Sequence, residues 1–191
     1  MATVLSALFV GSDTLLLQCV QAWRERGHRV AAVVTDAEKV RRFCADEGLP
    51  CHDAVGATWA ELASARPDYT FAITWLRLLP GAALALAQRA TINFHDGPLP
   101  RYAGLNATCW AIAGGETTHA VTWHEVEAKA DTGVILLQRE FPIAADDTAF
   151  TLNARCFEFG QRTFGELADA LAAGTATRRA QDLTARTWFG R

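Results

Sequence analysis

The chain has 191 residues, half of them apolar and a fifth charged, enough for one domain to bury its own core. Its net charge of −3 and the absence of a long Lys/Arg block argue against nucleic-acid binding, since Arg41-Arg42 and Arg178-Arg179 read as solvated pairs. There is no basic leader and no apolar run long enough to span a bilayer. Cys19, Cys44, Cys51, Cys109 and Cys156 form neither a CxxC pair nor a ligand cluster, so no membrane segment, disulfide framework or metal is expected, and the location expected is cytoplasmic.

In chain order, Val4–Val10 is an apolar strand ending at Gly11-Ser12-Asp13. Thr14–Arg26 has helical spacing, with Ser12 or Asp13 as N-cap and Gly27 as stop. Arg29–Thr35 reads as a second strand, Lys39–Glu47 as a short helix, and Cys51-His52 as a brief third strand. Trp59–Arg66 is expected to be helical up to Pro67, followed by a buried strand over Tyr69–Thr74 and a loop over Trp75–Pro80. Gly81–Arg89 is an Ala-rich helix and Thr91–His95 a strand stopped by Gly97, Pro98 and Pro100. Asn106–Ala113 looks helical, Ala120–Val126 and Val134–Phe141 strand-like, and Phe150–Ala173 a long amphipathic helix ending at Gly174. Strands separated by helices imply an α/β, Rossmann-like fold: a mostly parallel twisted sheet with helices on both faces, the later strands adding a mixed edge. Residues 182–191 read as the start of a linker or subdomain, cut short, with strand character at Thr187-Trp188-Phe189.

The usual ligands of such a sheet lack their signatures. The turn Val10-Gly11-Ser12-Asp13 has one glycine where a dinucleotide fingerprint needs three, and neither a Walker-type Gly-Lys-Ser/Thr nor a G-x-S-x-G elbow is present. Two polar features stand out instead. In Ile92-Asn93-Phe94-His95 the alternation places Asn93 and His95 on one face at the end of a strand, where open α/β sheets bind ligands. In Ala130-Asp131-Thr132-Gly133, Asp131 has an ordinary reading as a turn residue capping the next amides, with Gly133 taking the open dihedral. Together, an amide, an imidazole and a carboxylate are the parts needed for acyl transfer onto an amine. The first two stabilise an oxyanion, and the carboxylate orients the histidine and helps remove the amine proton.

Asn93-Phe94-His95, the downstream Leu99-Pro100 with Gly104, and Asp131-Thr132-Gly133 resemble the 10-formyltetrahydrofolate-dependent formyltransferase family. The likeness extends through Phe9-Val10-Gly11, Gly27-His28-Arg29-Val30, Pro67-Asp68, Leu78-Leu79-Pro80, Gly115-Glu116, Val121-Thr122 and Asp147-Thr148 with Leu152. The resemblance implies that Asn93, His95 and Asp131 are the catalytic trio. It implies that Arg77 and Leu79 lie in the loop whose backbone holds the pterin ring, with Leu79 as an apolar wall rather than core. Glu127, Ala128, Lys129 and Ala130 would form a second folate-binding loop. The co-substrate implied is 10-formyltetrahydrofolate, and residues 1–181 would be the formyltransferase catalytic domain.

Two departures matter: Asp96-Gly97-Pro98-Leu99-Pro100 stands where many members have Ser-Leu-Leu-Pro, and Trp75-Leu76 replaces a common Tyr-Gly. The run from Phe94 to Asn106, with Thr122-Trp123-His124, is most like N-terminal formylation domains of nonribosomal peptide or hybrid polyketide synthetases. The acceptor so implied is an aminoacyl group on a carrier protein's phosphopantetheine, and the partners are that carrier and neighbouring synthetase domains. Two alternatives stay open: a stand-alone transferase for a small amine such as an amino sugar, and a non-catalytic folate-binding module. Tyr102 and Asn106 are candidate acceptor contacts, and His124 lies either beside Asp131 or in packing.

Overall fold

The computed structural model describes residues 3–54 and 59–190; Met1, Ala2 and Arg191, at the ends of the expected domains, lie outside the described residues. The chain opens with β1 (Ser6–Gly11), buried along its whole length, and α1 (Thr14–Glu25). Asp13 is the N-cap, its carboxylate accepting the Thr14 N–H at 2.6 Å, while Ser12 donates to Asp36 instead. Next come β2 (Arg29–Thr35), α2 (Glu38–Asp46), β3 (Cys51–Asp53), α3 (Trp59–Leu62), β4 (Tyr69–Ile73), α4 (Gly81–Leu84) and β5 (Ala90–His95). The chain continues through β6 (Ala103–Gly104), α5 (Ala107–Ala113), β7 (Thr118–Glu125), β8 (Ile135–Pro142), α6 (Ala149–Ala173) and β9 (Trp188–Phe189).

Seven strands form one sheet in the order β3-β2-β1-β4-β5-β7-β8, and β6 pairs with β9 in a small second sheet. The first five strands are mutually parallel, and β7 runs antiparallel to both neighbours, giving the mixed edge expected. Alternation divides the sheet into unequal faces. Phe9, Phe71, Ile92, Phe94, Val121 and Trp123 point to one face, where they join Trp23 of α1 and Phe164 of α6 in the main core. Phe9 stacks on Phe71 at 5.3 Å, and Phe71 meets Phe164 edge-on at 5.1 Å. Each such aromatic, fully buried, contributes about 1.5–3 kcal/mol. On the other face Leu8, Val10, Ala32 and Val34 are covered by Leu62 of α3 and by Leu86, just past α4. Over β5 and β7 that face is closed by loops: Thr122 Oγ1 donates to the Gly97 carbonyl, and Leu99 and Ala103 pack on Ile135. The helix-poor face is where Asn93 and His95 emerge.

Two helices are shorter than their composition predicts. Past Leu84 the chain leaves the helix so that Gln88 and Arg89 N–H donate to the carbonyls of Pro67 and Asp68, which aligns β5 beside β4. After Leu62 a single 3₁₀ turn, Ala63–Ala65, ends at Arg66 in the left-handed region (φ 39°). No helix among the described residues is long and apolar enough to cross a membrane.

Candidate active site

Phe94 anchors the site from below. Its ring lies 5.0 Å from that of Trp123 in the core, so the residues on either side of it in β5 must face the opposite way. The antiparallel register pairs Asn93 with His124 and His95 with Thr122 across β5 and β7. Four polar side chains thus share one face.

The hydrogen bonds fix the ring states. His95 Nε2 lies 2.8 Å from the Tyr102 carbonyl, and His124 Nδ1 lies 2.8 Å from the Glu125 carbonyl. A carbonyl only accepts, so each of those nitrogens carries a hydrogen. His124 Nε2 is left facing Asn93, whose Nδ2 is 3.2 Å away and also donates to the Phe94 carbonyl at 3.0 Å. His95 turns Nδ1 toward Asp131, 4.0 Å from Oδ2. Both rings are buried, His95 at 5% and His124 at 1% exposure.

Asp131 closes the group from the loop between β7 and β8. One carboxylate oxygen accepts the Gly104 N–H at 2.8 Å, and the other is 3.4 Å from His124 Nε2. Burial alone would raise its pKa, but the His124 contact, the charges of His95 and His124, and the Gly104 amide outweigh that and bring it down to about 2. The turn differs from its expected form. Asp131 itself takes the left-handed dihedral (φ 56°), and its carboxylate bonds an amide of a distant loop rather than its own turn. Gly133 is required for space: a Cβ there would overlap the Glu125 carbonyl.

The residues expected to hold folate lie in the loop that follows β4, the neighbour of β5, and in the β7–β8 loop that carries Asp131. Arg77 follows β4, stacks over the Trp75 ring at 4.2 Å and pairs with Asp36 at the end of β2, three strands from β5. Leu79 is half-buried against the Leu8 and Val10 cluster, and Leu76 and Leu78 beside it are exposed at 71% and 81%. Trp75 Nε1 is buried with no hydrogen-bond partner. Glu127, Ala128 and Lys129 are exposed, while the Ala130 carbonyl accepts from Arg186. Tyr102 and Asn106 lie on the loop between β5 and α5. The Tyr102 hydroxyl donates to Glu116 at 2.7 Å and its side chain is buried, so its contribution is the carbonyl that holds His95. Asn106 takes the left-handed N-cap position of α5 (φ 59°). His119 is structural, bonded to the Asp96 carbonyl and packed against Tyr102 and Phe141. The sequence left His124 between a place beside Asp131 and packing, and gave no role to the Gly104 amide or to Gln181 and Thr187 at the site. For His124 the available signal was that Thr122 and His124 alternate with Val121 and Trp123 as Asn93 and His95 alternate with Phe94.

Comparison with known proteins matches residues 6–167 to the family described as formyl transferase. A methionyl-tRNA formyltransferase of Geobacter metallireducens is 29% identical over 93% of this chain and 62% of its own, so the chain spans about three fifths of that relative's length. A glycinamide ribonucleotide transformylase 1 from Symbiobacterium toebii superposes with a TM-score of 0.80 at 25% identity, covering 94% of this chain and 95% of that one. An N-formyltransferase from Helicobacter canadensis, solved with folinic acid and dTDP-3-aminofucose, gives a TM-score of 0.83 at 18% identity over 99% of this chain and 71% of that one, a likeness of fold.

Proposed function

The chain belongs to the formyl transferase family, and from that membership we propose that it moves a formyl group from 10-formyltetrahydrofolate to an amine. The single observation that carries this reading is the convergence of Asn93, His95 and Asp131, with His124 between Asn93 and Asp131. The β4–α4 loop has features suited to the folate. Trp75 Nε1 is an orphaned buried donor, and the exposed Leu76 and Leu78 offer apolar surface to a flat heteroaromatic ring.

As the amine attacks, charge grows on the formyl oxygen, and an amide N–H with an imidazolium is the pair that meets it. Both Asn93 amide hydrogens are engaged in the free protein, by Phe94 and His124. His124 Nε2 also lies 3.4 Å from Asp131 Oδ1, so a turn of that ring toward the carboxylate would free the amide for the oxyanion. Asp131, with its pKa lowered to about 2, is ionised at neutral pH and available to take the proton the amine sheds.

The acceptor we favour is an aminoacyl group on a carrier protein's phosphopantetheine, in a cytoplasmic nonribosomal peptide or hybrid polyketide synthetase. Support for it comes from the run Phe94–Asn106 and the Thr122-Trp123-His124 triplet. The test presents 10-formyltetrahydrofolate with aminoacyl-loaded carriers and the matching free amines, and reads intact mass. A formyl gain confined to carrier-bound amines supports the reading, and a gain on free amines alone replaces it with a small-molecule transferase.

A further inference from the structure

Residues 181–189 lie beyond the stretch that matches the family, yet they bond to both loops that hold the trio. On one side, Tyr102 N–H donates to Thr187 Oγ1 at 2.7 Å, Ala103 N–H to the Thr187 carbonyl at 3.1 Å, and Leu105 N–H to the Phe189 carbonyl at 2.8 Å. Gly104, between them, points its N–H the other way, to Asp131. On the other side, Gln181 Nε2 donates to the carbonyls of Asp131 (3.2 Å) and Gly133 (2.7 Å), and Arg186 donates to that of Ala130 (3.2 Å).

The loop held in this way carries strained backbone. Tyr102, Gly104 and Asn106 all have positive φ, at 57°, 101° and 59°, and Asp131 opposite has 56°. The same loop supplies the two backbone groups the trio depends on, the Tyr102 carbonyl on His95 and the Gly104 amide on Asp131. The Phe189 ring holds the segment down, stacked between Tyr102 at 5.6 Å and Trp110 at 4.6 Å.

We infer that Gln181–Phe189 is a positioning strap, in which Thr187 sets the carbonyl that fixes the His95 tautomer and Gln181 sets the turn that carries Asp131. Its activity readout rests on the proposed formyl transfer, but its spectroscopic readout does not. Thr187 is exposed, so Thr187→Val removes one acceptor with little disturbance to packing. The test compares wild type, Thr187→Val, Thr187→Ser and Gln181→Met by steady-state kinetics and by ¹⁵N NMR of the histidine side chains.

The expected result is a kcat about 10- to 100-fold lower for Thr187→Val, with KM for the formyl donor unchanged. The His95 signal should move from a single Nε2–H form to a tautomer mixture. Thr187→Ser, which keeps Oγ, restores both, and Gln181→Met lowers kcat while displacing the Gly104 amide resonance. Unchanged kcat in Thr187→Val, or a lowered kcat with the His95 and Gly104 signals of wild type, would overturn the strap. A wild type inactive on every amine, with His95 still responding to Thr187→Val, sinks the transfer reading and leaves the strap standing.

Discussion

Asp131 sits in strained backbone, is mostly buried, and still holds its charge, because an amide and two imidazoles converge on it. Its lowered pKa is also a statement about stability. The carboxylate's contribution is complete above the unfolded value of about 3.9 and is lost as pH falls through the folded value, amounting to about 2 kcal/mol. Asp131→Asn, which keeps a residue tolerant of the left-handed dihedral, should lack that acid-side loss between about pH 4 and 2 in urea unfolding. On the proposed mechanism the same change removes the proton acceptor and should lower turnover about 100-fold or more. Gly104 shows a different constraint. A Cβ there would overlap the Phe189 carbonyl at a φ of 101°, so Gly104→Ala should destabilise by about 2 kcal/mol and make the chain after residue 180 easier to cleave by protease. An unfolding midpoint equal to wild type would contradict this.

At the scale of elements, legibility followed how local the determining force is. The strands at Arg29–Thr35 and Ala90–His95 announce themselves by unbroken burial or strict alternation, and the long helix by its apolar spacing. The Ala-rich stretch after Gly81 looks helical for nine residues but makes one turn, because Gln88 and Arg89 are drawn to the backbone of Pro67 and Asp68. No local preference records that demand. The two-residue strands β6 and β9 exist only as each other's partner, 85 residues apart. The trio was legible because its residues sit in short compact motifs. The partners of His124 and of the Gly104 amide were not, since those pairings are 31 and 27 residues distant in sequence. The start of α6 is a case where local chemistry suffices. Thr148 and Thr151 cap each other's amides, so Thr148→Ala should cost about 1 kcal/mol in chemical denaturation and leave turnover unchanged.

For the molecule as a whole, the division of labour between the two faces of the sheet explains where chemistry is possible. The face under α1 and α6 is packed with aromatic side chains and supplies rigidity. Among the described residues the other face carries short helices beside β1 and β2, and over β5 and β7 it is closed by loops that supply backbone donors and acceptors. The reversal of β7 is what makes this work. Running antiparallel to β5, it sets His124 opposite Asn93 and delivers the next loop, with Asp131, back above His95. The Rossmann-like half alone, β1 to β5, would present Asn93 and His95 with no carboxylate between them. On the proposed function, this cluster transfers a formyl group. Intact-mass analysis of carrier-bound and free amines incubated with 10-formyltetrahydrofolate, for wild type beside His95→Ala, tests it most directly. Wild type should add one formyl group and His95→Ala should add none while still binding folate; no gain on any amine, or an equal gain with both proteins, would refute formyl transfer by this cluster.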